Sequence, residues 1–382
     1  MAPLRLRHLH LPSIHPDYIP YSLASRVQEF LRRQHLDFKD GSSTREPPPT
    51  LISFTPSPIY TLGRRQTTPL APSEAARLTA PLHIPSPFSS SSDAGGGGGG
   101  DSGGGSVSIR PRLVHSLRGG LTTYHGPGQI VLWPVLDLRS PHHRNYTVKC
   151  YARLLETTTI ATLHALFGIR AFTTDDPGVW VTRSPSSPGE DDQDHPASAA
   201  TTTGASTLAK IAALGVHLRR HVTALGTAIN VAMPELHPEM TTTKEVGSAG
   251  ESTNPWARFV PCGLEGHGVT CISGQIQQQQ QQQSPAPTAS SSSGGGGGGG
   301  GVERKVADAW AEELAERLGL GLDESGSADG GSSRVEVVGE EEALRLMEEL
   351  VSSGRSAGME DGEELEVERE YVLRMRRALC GR

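Results

Sequence analysis

Three features of the sequence predict an α/β protein built on a mixed sheet. Segments patterned as strands and as helices alternate irregularly along the 382 residues, which favours mixed strand directions over a regular parallel repeat. Hydrophobic residues make up 35% of the chain, and many of its 45 glycines stand in homopolymer runs. This apolar content suffices for one core of roughly 200 residues that carries insertions on its surface.

The elements are predicted from the spacing of apolar residues. The strand-like segments, in chain order, are 4–11, 51–66 with a proline-rich turn, 129–138, 178–183, and two or three short strands within 208–231. The helix-like segments, in chain order, are 22–33, 146–166, 303–320 and 340–351. Because proline cannot donate to a strand ladder, Pro134 predicts that its strand lies at a sheet edge or carries a bulge.

Low-complexity stretches rich in Gly, Ser, Pro or Gln interrupt these elements. We expect them to be surface insertions, because they cannot bury enough apolar area to offset the entropy of ordering. They lie at about 81–107, 184–206, 238–254 and 275–301. The expected organisation is therefore one main domain over 1–322, followed by an acidic and mostly peripheral extension over 323–382.

Charge and cysteine content exclude several classes of function. The net charge of −7 implies no basic surface for nucleic acid. The four cysteines are scattered without a C-x-x-C pair, which argues against a disulfide framework and a cysteine zinc site. No cofactor or metal is predicted, and no stretch approaches the ~20 apolar residues of a membrane span. The basic N-terminus fits either a first strand or a weak organelle transit peptide.

The segment Arg118–Gln129, RGGLTTYHGPGQ, precedes a long apolar run. A dinucleotide fingerprint would follow a strand and open a helix, whereas these glycines precede a strand. A plain tight turn is one interpretation. The other is backbone shaped around a ligand, because glycines let the chain approach a ligand closely and leave N–H donors free.

Two further residues are chemically suggestive. Cys262 lies between proline and glycine, so we expect it in a turn, where it is either a small buried apolar group or a nucleophile. Lys210 is a single cation in an apolar strand, where it either points to water or lies near a thiol. An ammonium favours the thiolate and can carry its proton. His217 and His221 have helical metal-ligand spacing in a strand-like context, so no metal site is predicted there.

Taken together, these segments resemble the octanoyltransferases of lipoate synthesis. The matching text is Arg118–Gln129 with its strand, KIAALG from Lys210, GTAIN from Gly226, PCG around Cys262, GVT from Gly268, PIYTLGR from Pro58 and PGVWV from Pro177. The resemblance covers most of residues 4–320 once the insertions are removed. It implies a fold like that of the biotin/lipoate protein ligases, a mixed sheet with helices on one side.

The resemblance also implies a reaction and its residues. An octanoyl group would pass from octanoyl-acyl carrier protein to a lysine of lipoyl domains, those of 2-oxoacid dehydrogenase complexes and of the glycine cleavage H protein. Cys262 would accept the acyl group, and Lys210 would lower the pKa of its thiol. The residues implied for the acyl pocket are Arg118, Gly119, Gly120, Leu121, Thr122, Thr123, Tyr124, His125, Ala213, Leu214, Gly215, Gly226, Thr227 and Ala228. We expect Arg64, Arg65 and Arg118 to form a basic rim for the acidic partners.

The sequence departs from the family pattern at one position, and two alternative functions remain open. Leu225 stands where the family usually has a histidine, which would weaken the activity or transfer the task to His125. An ATP-dependent lipoate or biotin ligase shares the fold but needs no cysteine. A non-catalytic protein that binds acyl carrier is the second alternative. The Gln and Gly runs suggest a eukaryote, and the family then implies a mitochondrial location.

Overall fold

The computed structural model describes most of the chain outside the low-complexity stretches. The described residues are 4–13, 16–85, 106–183, 207–236, 249–260, 267–283, 300–321, 333–353 and 362–380. The predicted insertions 81–107, 238–254 and 275–301 thus lie partly outside the described residues, and 184–206 lies wholly outside them. Where their edges are described, they hold a strand pair, a short 3₁₀ turn and a helix.

A mixed eight-stranded sheet forms the centre of the molecule, as the sequence predicts. Its strands are β1 Leu6–His10, β2 Thr50–Phe54, β8 Gln129–Val135, β9 Val179–Arg183, β10 Thr207–Arg219, β11 Val222–Asn230, β12 Gly268–Val269 and β13 Val335–Val337. They lie in the order β12-β10-β11-β8-β2-β1-β13, and β9 pairs with β10. The pairs β1–β2, β1–β13 and β10–β12 are parallel, whereas the others are antiparallel.

Five described helices cover both faces of this sheet. They are α1 Tyr21–Lys39, α3 Val148–Phe167, α5 Gly300–Leu318, α6 Glu340–Ser352 and α7 Gly362–Cys380. Adjacent strand residues point to opposite faces: Ile130 packs with α3 and α5 in one core, and Val131 packs with α1, α6 and α7 in the other. The expectation of helices on one side is therefore wrong, because each face has its own apolar cluster.

Smaller elements complete the described fold. They are β3 Ile59–Leu62, α2 Pro72–Leu78, β4 Leu82–Pro85, β5 Ser106–Ile109, β6 Arg112–His115, β7 Thr123–His125 and α4 Ile272–Gln283. A three-stranded sheet has the order β6-β3-β7, and β4 pairs with β5. The predicted strand 51–66 is thus two strands, β2 and β3, which the proline-rich turn sends into different sheets.

The four predicted helices are confirmed as α1, α3, α5 and α6, with end signals that their sequences explain. The Thr147 hydroxyl caps α3 by accepting a hydrogen bond from the Cys150 backbone N–H at 3.1 Å. Gly168 and Gly319 follow α3 and α5 with φ of +64° and +72°, the left-handed conformation that favours glycine. None of the described helices is both long enough and apolar enough to cross a membrane.

Pro134 lies in the interior of the main sheet, so its predicted place at an edge is wrong. β8 pairs with β2 on one side and with β11 on the other. The ladder to β11 stops at Leu132–Thr227, and hydrogen bonding resumes where the Thr223 N–H donates to the Leu136 carbonyl. Proline is tolerated because this gap needs no N–H from it. The predicted irregularity lies across the gap, where Leu225 has a φ of +63°.

The C-terminal extension belongs to the fold, which contradicts the expectation of a peripheral segment. β13 adds a parallel strand to β1, with Leu6 opposite Val335. α6 and α7 bury apolar residues such as Met347 and Met375 against the α1 face of the sheet. Its acidic residues include Glu368, which is fully buried and accepts a hydrogen bond from the Arg26 Nε at 2.7 Å.

Candidate active site

A slot of about 290 Å³ opens between the second half of β10, β11, β8 and the loop that follows β6. The predicted pocket residues that line it are Arg118, Gly119, Gly120, Thr123, His125, Ala213, Leu214, Gly215, Gly226, Thr227 and Ala228. Lys210 lines it as well. The β10–β11 hairpin and the segment from Arg118 to His125, which lies far from it in the chain, therefore meet at one cavity.

Lys210 lies on β10 where the pairing with β9 is irregular. Its register partner is Trp180, and the next pair is Ala212 with Val179, so one residue of β10 is left over. Such bulges redirect side chains and are common beside active sites. The Lys210 side chain is only 9% exposed, which excludes the alternative that it points to water. Its Nζ lies 4.6 Å above the Trp180 ring centroid.

The turn before β9 supplies a neutral acceptor for this lysine. Lys210 Nζ donates to the Pro177 carbonyl at 3.1 Å. The next residue, Gly178, has a φ of +124°, and a Cβ there would come within 2.7 Å of the Ala212 carbonyl oxygen. Only glycine fits this turn. Its N–H donates to Glu156 Oε1 at 3.1 Å, which fixes the turn on α3.

Cys262 lies in 261–266, outside the described residues. The residues that follow this segment join the strand of Lys210. Val269 of β12 is the register partner of Lys210, and the Thr270 N–H donates to the Lys210 carbonyl at 3.1 Å. The His267 ring lies 5.3 Å from the Trp180 ring. His267, five positions after Cys262, therefore contacts the same Trp180 ring over which the Lys210 Nζ lies.

Arg118 shapes the slot from a buried position. Its Nη2 donates to the Thr61 carbonyl at 2.6 Å, and its Nη1 donates to the Gly119 carbonyl at 3.0 Å. The residue is only 8% exposed, so the expectation that Arg118 contributes to an exposed rim is wrong. Arg64 and Arg65 are exposed, and Arg65 lines the slot.

Gly215 allows β10 to approach Arg118 closely. A Cβ at this position would lie 2.8 Å from the Arg118 Cδ and 3.1 Å from its Cβ, which is closer than ordinary van der Waals contact. The aliphatic part of the arginine therefore packs directly on backbone.

The predicted pocket residues Leu121, Thr122 and Tyr124 do not line the slot. Tyr124 lies on β7 between Thr123 and His125, and alternation along a strand turns it to the opposite face. There it is 1% exposed, and its ring packs 5.2 Å from Tyr60. Burial raises the pKa of Tyr124 well above its usual value.

A buried hydrogen-bonded chain sets the protonation of His125. The Thr270 carbonyl can only accept, so Asn230 donates to it through Nδ2 at 2.9 Å and accepts through Oδ1 from Gln129 Nε2 at 2.9 Å. Gln129 Oε1 must then accept from His125 Nδ1, 2.7 Å away. Burial, with the nearby Arg118 charge, lowers the pKa of His125 to about 4. At neutral pH the ring therefore carries its proton on Nδ1 and leaves Nε2 as an acceptor.

Sequence analysis missed the aromatic and apolar part of the wall. Tyr21 at the start of α1 stacks on His125 with ring centroids 6.2 Å apart, and meets Trp133 edge-on at 5.2 Å. Val131 and Trp133 of β8 also line the slot. Nothing local marks Tyr21, but the alternation of β8 could have assigned Val131 and Trp133 to one face. An apolar slot with a buried cation at one end suits a ligand that has an apolar chain and a reactive polar head.

Comparison with known proteins agrees with this description. A family model described as the lipoyl protein ligase A/B catalytic domain matches residues 110–285. A probable octanoyltransferase of Schizosaccharomyces pombe is 29% identical over 229 residues, which cover 60% of this chain and 77% of that protein. The mitochondrial octanoyl-[acyl-carrier-protein]:protein N-octanoyltransferase LIPT2 of Danio rerio is 28% identical over 266 residues, which cover 70% and 83%.

A bacterial relative and one solved structure complete the comparison. The octanoyltransferase of Paracoccus denitrificans is 38% identical over 161 residues, which cover 42% of this chain and 58% of that protein. The bipartite lipoate protein ligase of Thermoplasma acidophilum, solved in a study of an archaeal lipoylation system, superposes with a TM-score of 0.43 at 11% identity. The match covers 96% of this chain and 98% of that one.

Proposed function

We propose that this chain, whose residues 110–285 match the family model of the lipoyl protein ligase A/B catalytic domain, is an octanoyltransferase of protein lipoylation. It transfers an octanoyl group from octanoyl-acyl carrier protein to a lysine of a lipoyl domain. The observation that carries the proposal is the slot with the buried Lys210 beside it. Relatives of which this chain spans more than two thirds are named for this reaction.

Cys262 is the proposed acyl acceptor. Its thiolate attacks the carbon of the carrier thioester, the carrier leaves as a thiol, and an octanoyl-Cys262 thioester remains. The amine of the target lysine then attacks this thioester, an amide forms and the Cys262 thiol is restored. Such a sequence predicts ping-pong kinetics, because the first product leaves before the second substrate reacts.

Lys210 is the proposed proton carrier of both half-reactions. Its ammonium favours the Cys262 thiolate by charge and returns a proton to the leaving thiol. The Pro177 carbonyl accepts a hydrogen bond from the Lys210 Nζ, and the Trp180 ring lies beneath it, so two neutral groups help to hold the side chain in place. The oxyanion would be stabilised by backbone N–H groups such as those of Gly215 or Gly263.

The slot is the proposed site of the acyl chain. Burial of about six methylenes at ~0.8 kcal/mol each contributes roughly 5 kcal/mol. This is enough for the slot to select substrates by the length of their acyl chain. Val131, Trp133 and Ala228 supply the apolar surface. His125 stays uncharged there at neutral pH, which avoids placing a second cation beside Arg118.

The proposed partners are acyl carrier protein and lipoyl domains, including those of 2-oxoacid dehydrogenase complexes and the glycine cleavage H protein. The exposed Arg64 and Arg65 flank the slot and suit acidic partners. The proposed location is the mitochondrion, since relatives from Danio rerio and Saccharomyces cerevisiae are named as mitochondrial.

Intact-mass spectrometry after incubation with octanoyl-acyl carrier protein tests the reaction. We expect one octanoyl group on the protein, lost again when a lipoyl domain is added. Cys262→Ser should give no thioester. The matched control is Cys150→Ser, because Cys150 is exposed and the Thr147 side chain lowers the pKa of its thiol. An octanoyl group that disappears in the Cys150 variant and persists in the Cys262 variant contradicts the proposed nucleophile.

A second assay separates the ATP-dependent ligase alternative. The protein is incubated with free octanoate, ATP and a lipoyl domain, without acyl carrier protein. We expect no octanoylation under these conditions. Octanoylation that depends on ATP and survives Cys262→Ser would assign the chain to the ligases.

A further inference from the structure

A second cavity lies behind the slot. This rear cavity of about 240 Å³ is bordered by α1, β6, the turn end of the β10–β11 hairpin and α7. Its apolar lining includes Ile59, Val114, Leu117 and Val367. Neither the family resemblance nor the proposed reaction assigns it a role.

Tyr21 and Leu225 are the residues that line both cavities. The order of residues along β10 shows at which end of the slot Tyr21 and Leu225 lie. Lys210 and then Val216 line the slot, whereas His217, the next residue, lines the rear cavity. Leu225 lies opposite Val216 on β11. The side chains of Tyr21 and Leu225 therefore form a partition at the end of the slot that is remote from Lys210.

Both members of the partition are held firmly. The Tyr21 ring contacts Trp133 edge-on and His125 face-to-face. The Leu225 backbone has a φ of +63°, a conformation that costs a non-glycine residue free energy and persists only where its surroundings impose it. The surroundings do so here, because β11 departs from β8 beside Pro134, which has no N–H for the ladder.

We propose that Tyr21 and Leu225 set the longest acyl chain that the slot accepts, and that the rear cavity is the space a longer chain enters when Leu225 is removed. This inference rests on the proposed function, since it concerns the specificity of the same slot. An acyl chain longer than the slot must displace the Tyr21 ring or the Leu225 backbone, both of which are held in place by their surroundings. A mismatch of a single methylene in an apolar pocket changes discrimination by about 10-fold to 200-fold.

Leu225→Gly tests the partition, because it removes the side chain at a position whose positive φ glycine adopts readily. The rates of acyl-enzyme formation are compared for octanoyl- and dodecanoyl-acyl carrier protein with the full chain. We expect the dodecanoyl-to-octanoyl ratio to rise at least about ten-fold in the variant. Leu117→Gly is the matched control, since Leu117 is 60% exposed and lines only the rear cavity. It should leave the ratio unchanged.

A double variant tests the rear cavity itself. Val367 lies on α7 at the far wall, and Val367→Trp should fill the space behind the partition. In the Leu225→Gly background it should return the ratio towards that of the natural protein. A ratio that Leu225→Gly leaves unchanged overturns the partition, and a raised ratio that Val367→Trp does not lower overturns the role of the rear cavity.

Calorimetric titration with free dodecanoate separates this inference from the reaction. If no form of the protein gains an octanoyl group, the proposed function fails. The partition is then judged by dodecanoate affinity, which Leu225→Gly should raise at least about ten-fold if the partition is correct. An unchanged affinity contradicts it.

Discussion

The slot and the rear cavity share Tyr21 and Leu225 in their linings, but different interactions shape them. The slot is shaped by backbone: β10 approaches Arg118 at Gly215, and the Gly178 turn presents a carbonyl to Lys210. These features are local, and each depends on a residue type that stands out in the sequence.

The rear cavity is shaped by charge pairs between segments that are distant in the chain. Arg26 of α1 pairs with Glu368 of α7 at 2.7 Å, and Arg112 of β6 pairs with Glu364 at 3.1 Å. The contrast suggests that the slot determines the rate of the reaction. The rear wall, formed by α1, β6 and α7 with these charge pairs, would determine the stability of the protein. Substitutions in the two regions should therefore separate these two quantities.

The largest effect is expected in the slot, at Lys210. Lys210→Met keeps the length of the side chain but removes its charge, so the rate of octanoyl transfer should fall by about 10²-fold to 10⁴-fold. Single-turnover kinetics measure this change, and urea unfolding should show little loss of stability. The matched control is Lys305→Met, since Lys305 is exposed on α5. A rate near that of the natural protein would exclude Lys210 as the proton carrier.

The next effect is expected in the rear wall, at Glu368. Glu368→Ala leaves Arg26 buried without its carboxylate, which should cost about 3 kcal/mol of unfolding free energy. Urea unfolding measures it, while the transfer rate per folded molecule should stay unchanged. Glu341→Ala, which breaks an exposed pair with Arg345, should cost less than about 0.5 kcal/mol. A large loss of rate at retained stability would contradict the contrast between the two regions.

A smaller effect is expected from closing the gap at Gly215. Gly215→Ala places a methyl group against Arg118 and should push the arginine stem into the slot. We expect about a ten-fold lower rate of acyl-enzyme formation, equivalent to about 1.4 kcal/mol of overpacking. The control is Gly339→Ala, where a Cβ meets no atom within 4 Å. Equal rates for the two variants would show that the close approach is dispensable.

The smallest effect concerns pH. Burial and Arg118 lower the pKa of His125 to about 4, whereas an unfolded histidine titrates near its ordinary value of 6.5. Between these values the unfolded chain binds a proton that the folded chain does not, so stability falls as pH falls from 6.5 to 4.

His125→Gln tests this titration. The variant should lose less stability over that range, because it has no imidazole to titrate at this position. His35, whose pKa burial also lowers to about 4, should leave a residual acid loss. Urea unfolding at several pH values measures the difference, and parallel curves for the two proteins would contradict it.

Much of the slot could be predicted from the sequence, because glycines and isolated charges in apolar strands are visible there. Lys210 and the loop from Arg118 to Gly120 line the same cavity, while their roles stay predictions. Tyr124 differs from its prediction, because strand alternation turns it away from the slot that Thr123 and His125 line. The position of Cys262 relative to Lys210 stays a prediction.

The rear wall could not be predicted, because its contacts depend on tertiary structure. Glu368 stands in an acidic stretch that is typical of a solvated surface, yet it is buried against Arg26. Pro134 favoured a sheet edge by its lack of a donor. In the structure the missing N–H is accommodated by a gap in the ladder between β8 and β11, which sequence periodicity does not reveal.

The pairing of β1 with β13 has a consequence for biogenesis. Leu6 lies opposite Val335, so β1 cannot complete its pairing until a strand much further along the chain has been synthesised. Until then β1 has an open edge, which is a template for pairing with other chains. Loop closure over such a span is slow, so the nascent chain should depend on chaperones until α6 and α7 have emerged.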